Sequence, residues 1–173
     1  MDTDNPWKTL SSKDIYSNPW IDVREDKVIT PTGSNGIYGV VSFKNKAVAI
    51  VPLADNGDTW LVGQYRYTLD EYSWELPMGG APHTEDPLAA AQRELKEETG
   101  LTAKQWQHVL TLHTSNSITD EIGLVYIAKD LVEGTPDFDD TEDLKIKRLP
   151  LAKALQMALD GGITDAISVA ALL

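Results

Sequence analysis

The chain has 173 residues and no cysteine, and its 15 basic and 27 acidic side chains give a formal net charge of −12. This length predicts one domain with a sizeable core, and the lack of cysteine excludes disulfides. Such acidity argues against nucleic-acid polymers and anionic membranes as partners, because both bind basic surfaces. A small anionic substrate remains possible if metal ions neutralise it.

The N terminus and the hydropathy pattern indicate the compartment. Residues 1–6, MDTDNP, lack the basic and apolar regions of a secretory signal. No apolar run approaches the ~20 residues that a membrane helix requires. We therefore expect a protein of the reduced cytoplasm with no membrane partner.

Short β-rich runs dominate the first part of the chain. After an irregular arm of about twenty residues, with or without a single strand, strands are predicted at residues 21–30, 36–43, 47–53 and 60–67. The dipeptide Asn56-Gly57, between the last two of these runs, is typical of a hairpin turn.

A central helix is predicted from Pro87 to Thr99. Asp86 is a suitable N-cap, Pro87 suits the first helical position, and Gly100 is placed to end the helix. Further strands are predicted at residues 106–114, 123–128 and 144–148, and helices at 151–160 and 164–173. This order predicts an α/β or α+β sandwich. We divide it into a β-rich arm, residues 1–45, that belongs to the same unit as the main domain, residues 46–173.

Three carboxylates on the central helix point to a metal site. Glu94, Glu97 and Glu98 stand at i, i+3 and i+4, so they project from one helix face within about one turn. Like charges at this spacing repel each other, whereas a divalent cation would make their proximity favourable. Carboxylate oxygens suit Mg²⁺ or Mn²⁺, which also bind substrate phosphates.

The residues around these carboxylates fit the same interpretation. Glu85 precedes the N-cap and is close enough to join the cluster or to hold Arg93. Arg93 can bind a carboxylate through its planar fork and so orient the ligands. Gly79 and Gly80 allow the backbone to bend beneath a metal and to offer a carbonyl ligand. A solvated acidic helix face would explain Glu97 and Glu98 alone but not the whole constellation.

The segment from Gly79 to Leu101, GGAPHTEDPLAAAQRELKEETGL, resembles the signature of the Nudix hydrolases at every defining position. The resemblance implies a Nudix fold, with a mixed sheet between helices, and metal-assisted hydrolysis of a nucleoside diphosphate linked to another moiety. It implies catalytic roles for Glu97, Glu98 and Arg93. It implies metal ligands among Glu94, Glu97, Glu98, Met78 and Glu142. The general base in many members lies before the C-terminal helices, where Glu142 is our first choice and Asp140 our second.

Two further passages resemble the ADP-ribose and nucleoside diphosphate sugar pyrophosphatases of that family. The first is QYR at residues 64–66 followed by WELPMGG at residues 74–80, which we interpret as a strand and then a loop. The second is SNSITDE at residues 115–121. Asn116 replaces a proline that is usual in the ADP-ribose enzymes, which leaves open other substrates such as a GDP-hexose. The candidate substrate-binding residues are Arg66, Glu121, Trp20, Gly79 and Gly80.

Arg66 has two equally acceptable interpretations. Its guanidinium suits a substrate phosphate, but a surface arginine paired with a nearby acid would look the same in the sequence.

These observations predict a Mg²⁺- or Mn²⁺-dependent pyrophosphatase that acts on nucleoside diphosphate sugars. The resemblance also implies a homodimer formed through the N-terminal arm. Two alternatives remain: a Nudix enzyme for dinucleoside polyphosphates or nucleoside triphosphates, and a sensor that binds a nucleotide sugar without cleaving it. The intact set of Glu94, Glu97 and Glu98 argues against the sensor.

Overall fold

A computed structural model describes residues 4–138 and 143–173. The chain forms two compact units, one containing the residues up to Asn45 together with Ser115–Glu121, and the other containing Lys46–Thr114 and Ile122–Leu173. None of the helices in the described ranges is long and apolar enough to cross a membrane.

The first unit is a three-stranded antiparallel sheet. Its strands are β1 (Lys8–Ser17), β2 (Ile21–Ile29) and β3 (Asn35–Phe43), with β2 in the centre. The segment Ser115–Glu121 joins β3, because the Val41 amide donates a hydrogen bond to the Ile118 carbonyl at 2.9 Å.

The arm contains the single strand that the sequence left open, β1, and is therefore less irregular than expected. This strand pairs with β2 from Lys8 to Ser17. All ten of its residues are exposed, so its sequence lacks the alternation of buried and polar positions from which a half-buried strand is recognised. Backbone pairing with β2 defines the strand instead.

The second unit contains two sheets and the three helices that the described residues form. Its elements are β4 (Asn45–Pro52), β5 (Asp58–Arg66), β6 (Glu71–Glu75), β7 (Met78–Pro82), α1 (Pro87–Thr99), β8 (Thr102–His113), β9 (Ile122–Val132), β10 (Lys145–Pro150), α2 (Leu151–Leu159) and α3 (Ala166–Leu172). One sheet has the order β7-β4-β9-β8, with β4 parallel to β9, and the other has the order β10-β5-β6.

The mixed sheet is covered by helices on both faces. Val48 and Ile50 of β4 contribute to a core cluster that includes Leu95 of α1. Ala49 and Val51, which alternate with them, contribute to a second cluster with residues of α2 and α3. Burial on both faces is typical of strands in a parallel arrangement. The expected fold class, a mixed sheet between helices, is therefore confirmed.

Two local expectations were wrong. The passage of residues 74–80, which we expected to continue as a loop, contains the end of β6 and the start of β7. The Asn56-Gly57 turn is present, with Gly57 at a φ of 84°, but it connects β4 and β5, which belong to different sheets. A turn signal specifies a local change of direction and does not determine which strands will pair.

Helix α1 begins and ends where the sequence predicts. The Asp86 side chain accepts a hydrogen bond from the Ala89 amide at 3.1 Å, and Pro87 is the first helical residue. Gly100 ends the helix with a φ of 73°, and its amide donates to the Lys96 carbonyl at 2.8 Å. These caps satisfy backbone groups at both helix ends that have no partner within the helix.

We predict that Gly100→Ala destabilises the protein more than Gly161→Ala. Both glycines have a left-handed φ, of 73° and 75°, which costs an alanine about 1–2 kcal/mol. A Cβ at Gly100 would also lie 2.6 Å from the Gly134 carbonyl oxygen, whereas a Cβ at Gly161 meets nothing within 4 Å. The overlap should add about 2 kcal/mol to the loss of unfolding free energy, measured by urea denaturation. Equal losses in the two variants would contradict the close approach.

Candidate active site

The turn between β6 and β7 is fixed by hydrogen bonds from three directions. The buried Leu76 amide donates to Ser168 Oγ of α3 at 2.9 Å. The Pro77 carbonyl accepts from the Ile50 amide of β4 at 2.9 Å. The Met78 amide donates to Glu98 Oε2 of α1 at 2.9 Å. The start of β7 is therefore held against α1 at a defined position.

Two carboxylates of α1 are buried in this region. Glu98 is 2% exposed and Glu94 is 9% exposed. A Cβ at Gly79 would overlap the Glu94 carboxyl group, so a residue with a side chain at position 79 would displace that carboxylate. Glycine is required here because the backbone of β7 and the Glu94 side chain approach so closely.

Arg93 connects the remaining acidic groups. Its Nη1 donates to Glu94 Oε1 at 2.6 Å and to Glu97 Oε2 at 2.9 Å. Its Nη2 donates to Glu85 Oε2 at 3.2 Å and to the Gly80 carbonyl at 3.0 Å. Burial lowers the pKa of Arg93, but the hydrogen bonds to Glu85 and Glu94 outweigh it, and the pKa is raised. The guanidinium therefore stays charged.

The chemistry of these groups fits a hard divalent cation. Three carboxylates share one guanidinium, so the cluster keeps excess negative charge, and all of its donors are oxygens, as Mg²⁺ and Mn²⁺ prefer. Within the described residues, no three acidic, histidine or cysteine side chains converge on one point where they could hold an ion. Since Arg93 already bonds Glu94 and Glu97, a cation bound to these residues would compete with the guanidinium for their oxygens.

Arg66 forms an ion pair on the sheet β10-β5-β6. Its Nε donates to Glu75 Oε1 at 2.9 Å, and its Nη2 donates to Glu75 Oε2. The hydrogen bond to Glu75 raises the pKa of Arg66 against the opposing effect of burial. The negative charges of Asp165 and Glu98 also raise it, which places both acids near the guanidinium. Arg66 is thus paired with an acid, as one of the two interpretations expects.

The structure brings some of the candidate residues together and not others. Met78, Gly79, Gly80, Arg93, Glu94, Glu97 and Glu98 meet where β7 packs against α1. Trp20, which is 66% exposed, and the half-buried Glu121 belong to the first unit. The two candidates for the general base, Glu142 and Asp140, lie outside the described residues.

Sequence reasoning missed Glu75. This carboxylate is 2% exposed and accepts two hydrogen bonds from Arg66. The available signal was an acid between two apolar residues, Trp74 and Leu76. That signal has meaning only once β6 is recognised as a strand beside Arg66.

Comparisons with known proteins agree with this fold. The family model described as the NUDIX domain matches residues 44–170, and the model described as the nucleoside diphosphate sugar hydrolase N-terminal domain matches residues 7–41. An ADP-ribose pyrophosphatase of Mycobacterium tuberculosis is 36% identical, over 98% of this chain and 83% of that protein. An ADP-ribose pyrophosphatase of Bacillus subtilis is 32% identical, over 92% of this chain and 86% of that protein.

A solved structure described as an ADP compounds hydrolase has the same fold. It superposes with a TM-score of 0.87 and covers 99% of this chain and 93% of that chain, with 24% sequence identity. A mixed sheet between helices, with an acidic helix against a glycine-containing strand, is a Nudix-type domain. The chain belongs to the Nudix family, and this confirms the resemblance found in its sequence.

We predict that Arg93→Gln destabilises the folded protein by about 1–3 kcal/mol, because it leaves a largely buried carboxylate, Glu94, without its cation. The matched control is Arg148→Gln. Arg148 also pairs with two carboxylates, at 2.9 and 3.0 Å, but one of them, Glu133, is 69% exposed. The control should lose less than about 1 kcal/mol of unfolding free energy. Urea denaturation measures both losses, and an equal effect would show that burial of the acidic cluster has little energetic importance.

Proposed function

We propose that this protein is a divalent-cation-dependent pyrophosphohydrolase that cleaves nucleoside diphosphate sugars, such as ADP-ribose or a GDP-hexose, to a nucleoside monophosphate and a sugar phosphate. The observation that carries the proposal is the buried acidic face of α1. Glu94 and Glu98 lie against the backbone of β7, and Arg93 joins Glu94 to Glu97. The substrate class is supported by the match of residues 7–41 and by two relatives that are ADP-ribose pyrophosphatases.

We assign the cation to Glu94, Glu97 and Glu98, with the Met78 carbonyl as a further ligand and Glu142 as either an additional ligand or the general base. A bound Mg²⁺ or Mn²⁺ would neutralise the pyrophosphate and lower the pKa of a coordinated water. Arg93 orients Glu94 and Glu97 through the hydrogen bonds that it donates to both.

The general base is assigned to Glu142, with Asp140 as the alternative. Either carboxylate would accept the proton of the attacking water as the water oxygen bonds to phosphorus and the bridging P–O bond breaks.

We assign substrate contacts to five residues. Arg66, with the backbone at Gly79 and Gly80, would bind phosphate oxygens. Trp20 would stack on the nucleobase, since its ring is exposed, and Glu121 would bind a polar group of the substrate.

We further propose that the protein is a homodimer of the reduced cytoplasm. All residues of β1 are exposed, among them Leu10, Ile15 and Tyr16, which are each more than half exposed. An apolar strand surface of this kind is typical of a surface that another chain covers. A second copy of the N-terminal sheet is the occupant that we propose.

The substrate class is tested by a hydrolysis panel. We predict that ADP-ribose or a GDP- or UDP-hexose is cleaved in the presence of Mg²⁺ and that a chelator abolishes the reaction. Product chromatography should show a nucleoside monophosphate and a sugar phosphate. Cleavage of nucleoside triphosphates or dinucleoside polyphosphates alone would contradict the sugar assignment, and tight binding without turnover would favour a sensor.

We predict that Glu98→Gln lowers kcat at least about 100-fold, the scale of electrostatic losses at metal sites. Glutamine can still accept the hydrogen bond from the Met78 amide, so the fold should be preserved. Steady-state kinetics at saturating Mg²⁺ measures the loss.

The matched control for this prediction is Glu133→Gln, which removes the charge of an exposed acid paired with Arg148 and should leave kcat unchanged. Activity that survives in Glu98→Gln would count against the proposed ligand set. The same measurement on Glu142→Gln and Asp140→Asn identifies the general base, because loss of the base should remove the acidic limb of the pH profile.

A further inference from the structure

We propose that Glu75 is a positioning residue, which holds the Arg66 guanidinium in the orientation that binds the substrate diphosphate. The inference rests on the proposed function, because that function supplies the diphosphate. It adds a residue that neither the Nudix signature nor the sequence reasoning assigns to the site.

The geometry of the pair is that of a fixed support. Glu75 uses both carboxylate oxygens, accepting from Nε and from Nη2 of Arg66. Its side chain is only 3% exposed, whereas that of Arg66 is 36% exposed. The acid is therefore held inside the protein, and the arginine extends from it towards solvent.

The pairing leaves one edge of the guanidinium available. A guanidinium carries five N–H donors in a planar fork, and Glu75 occupies the side formed by Nε and Nη2. Within the described ranges, the guanidinium of Arg66 donates to no acceptor other than Glu75. The edge formed by Nη1 and the second Nη2 hydrogen can bind two oxygens of a phosphate, which is the geometry that such a fork prefers.

The location is also consistent with substrate binding. Glu75 stands three residues before Met78, whose amide donates to Glu98, the buried acid of α1. The hydrogen bond to Glu75 therefore holds Arg66 near the acidic helix to which we assign the cation.

Glu75 can orient the Arg66 guanidinium but does not help to attract the substrate anion. The negative charge of Glu75 cancels the positive charge of Arg66, so the pair has no net charge with which to attract an anion. A free arginine loses side-chain freedom when it binds a ligand, and an arginine already restrained by a buried carboxylate loses less. Glu75 therefore strengthens ground-state binding, and KM rather than kcat should report its loss.

Glu71 provides a matched control on the same strand. It lies directly opposite Arg66 in the pairing of β5 with β6, and its side chain is exposed. Replacing Glu71 or Glu75 by glutamine changes the net charge equally, but of these two side chains it is Glu75 that accepts hydrogen bonds from the Arg66 guanidinium.

The experiment compares Glu75→Gln, Glu71→Gln, Arg66→Lys and the double variant Glu75→Gln/Arg66→Lys. We expect Glu75→Gln to raise KM for the cleaved nucleotide sugar about tenfold and to change kcat less than threefold, while Glu71→Gln matches the wild type. In the Arg66→Lys background, Glu75→Gln should raise KM no more than about twofold further, because the lysine lacks the planar fork that Glu75 orients. An unchanged KM in Glu75→Gln, or a full tenfold effect in the lysine background, would overturn the positioning role.

Direct binding separates failure of this inference from failure of the proposed function. Calorimetry in Mg²⁺ with an ADP-ribose analogue that has a methylene group in place of the bridging oxygen of the diphosphate measures the dissociation constant without turnover. Glu75→Gln should weaken this binding about tenfold. If the wild type binds the analogue but cleaves no nucleotide sugar, the proposed function fails and the binding data still test Glu75. If the wild type does not bind the analogue and cleaves no nucleotide sugar, both fail. Should Glu75→Gln not fold, Glu75→Asp replaces it, since aspartate keeps the charge but is too short to accept both bonds.

Discussion

The site depends on the burial of carboxylates between α1 and the backbone of β7. An ionised carboxylate removed from water is strongly unfavourable unless donors surround it. The Met78 amide is such a donor for Glu98, and the Arg93 guanidinium is such a donor for Glu94. Gly79 is required because any larger residue would occupy the space of the Glu94 carboxyl group. The acidic groups are therefore fixed by the same contacts that compensate for their burial.

This arrangement requires a helix that does not rotate and a strand that does not shift. Ala90, Ala91 and Leu95 are fully buried on α1 and pack against the mixed sheet, which sets the rotation of the helix about its axis. The turn before β7 is bonded to Ser168 of α3 and to Ile50 of β4. Since both helix and strand are positioned by the core, the direction of the carboxylates follows from packing over the whole unit.

The sequence predicts those features whose signals are local. Helix α1 has its cap at Asp86 and its end at Gly100, and both are visible as residue types at the right separation, as are the acids on its surface. The sequence left open a strand in the region of β1 without placing it. It did not predict β7, which pairs with the distant β4, or β6, which is only five residues long. Recognition of Glu75 as the partner of Arg66 fails because β6 was not predicted. It requires β5 and β6 to be recognised as an antiparallel pair, which places Glu75 on the same sheet face as Arg66.

The charges of the site explain why an acidic protein would act on an anionic substrate only with added cations. Glu75 neutralises Arg66, and the guanidinium of Arg93 is shared by Glu85, Glu94 and Glu97. Glu98 is a further acid of the same cluster, so these acids outnumber the two arginines. A diphosphate approaching this surface would be repelled, and the arginines contribute direction more than attraction. In the proposed function, the attraction comes from divalent cations, whose binding is favoured by the same negative charge that would repel the substrate alone.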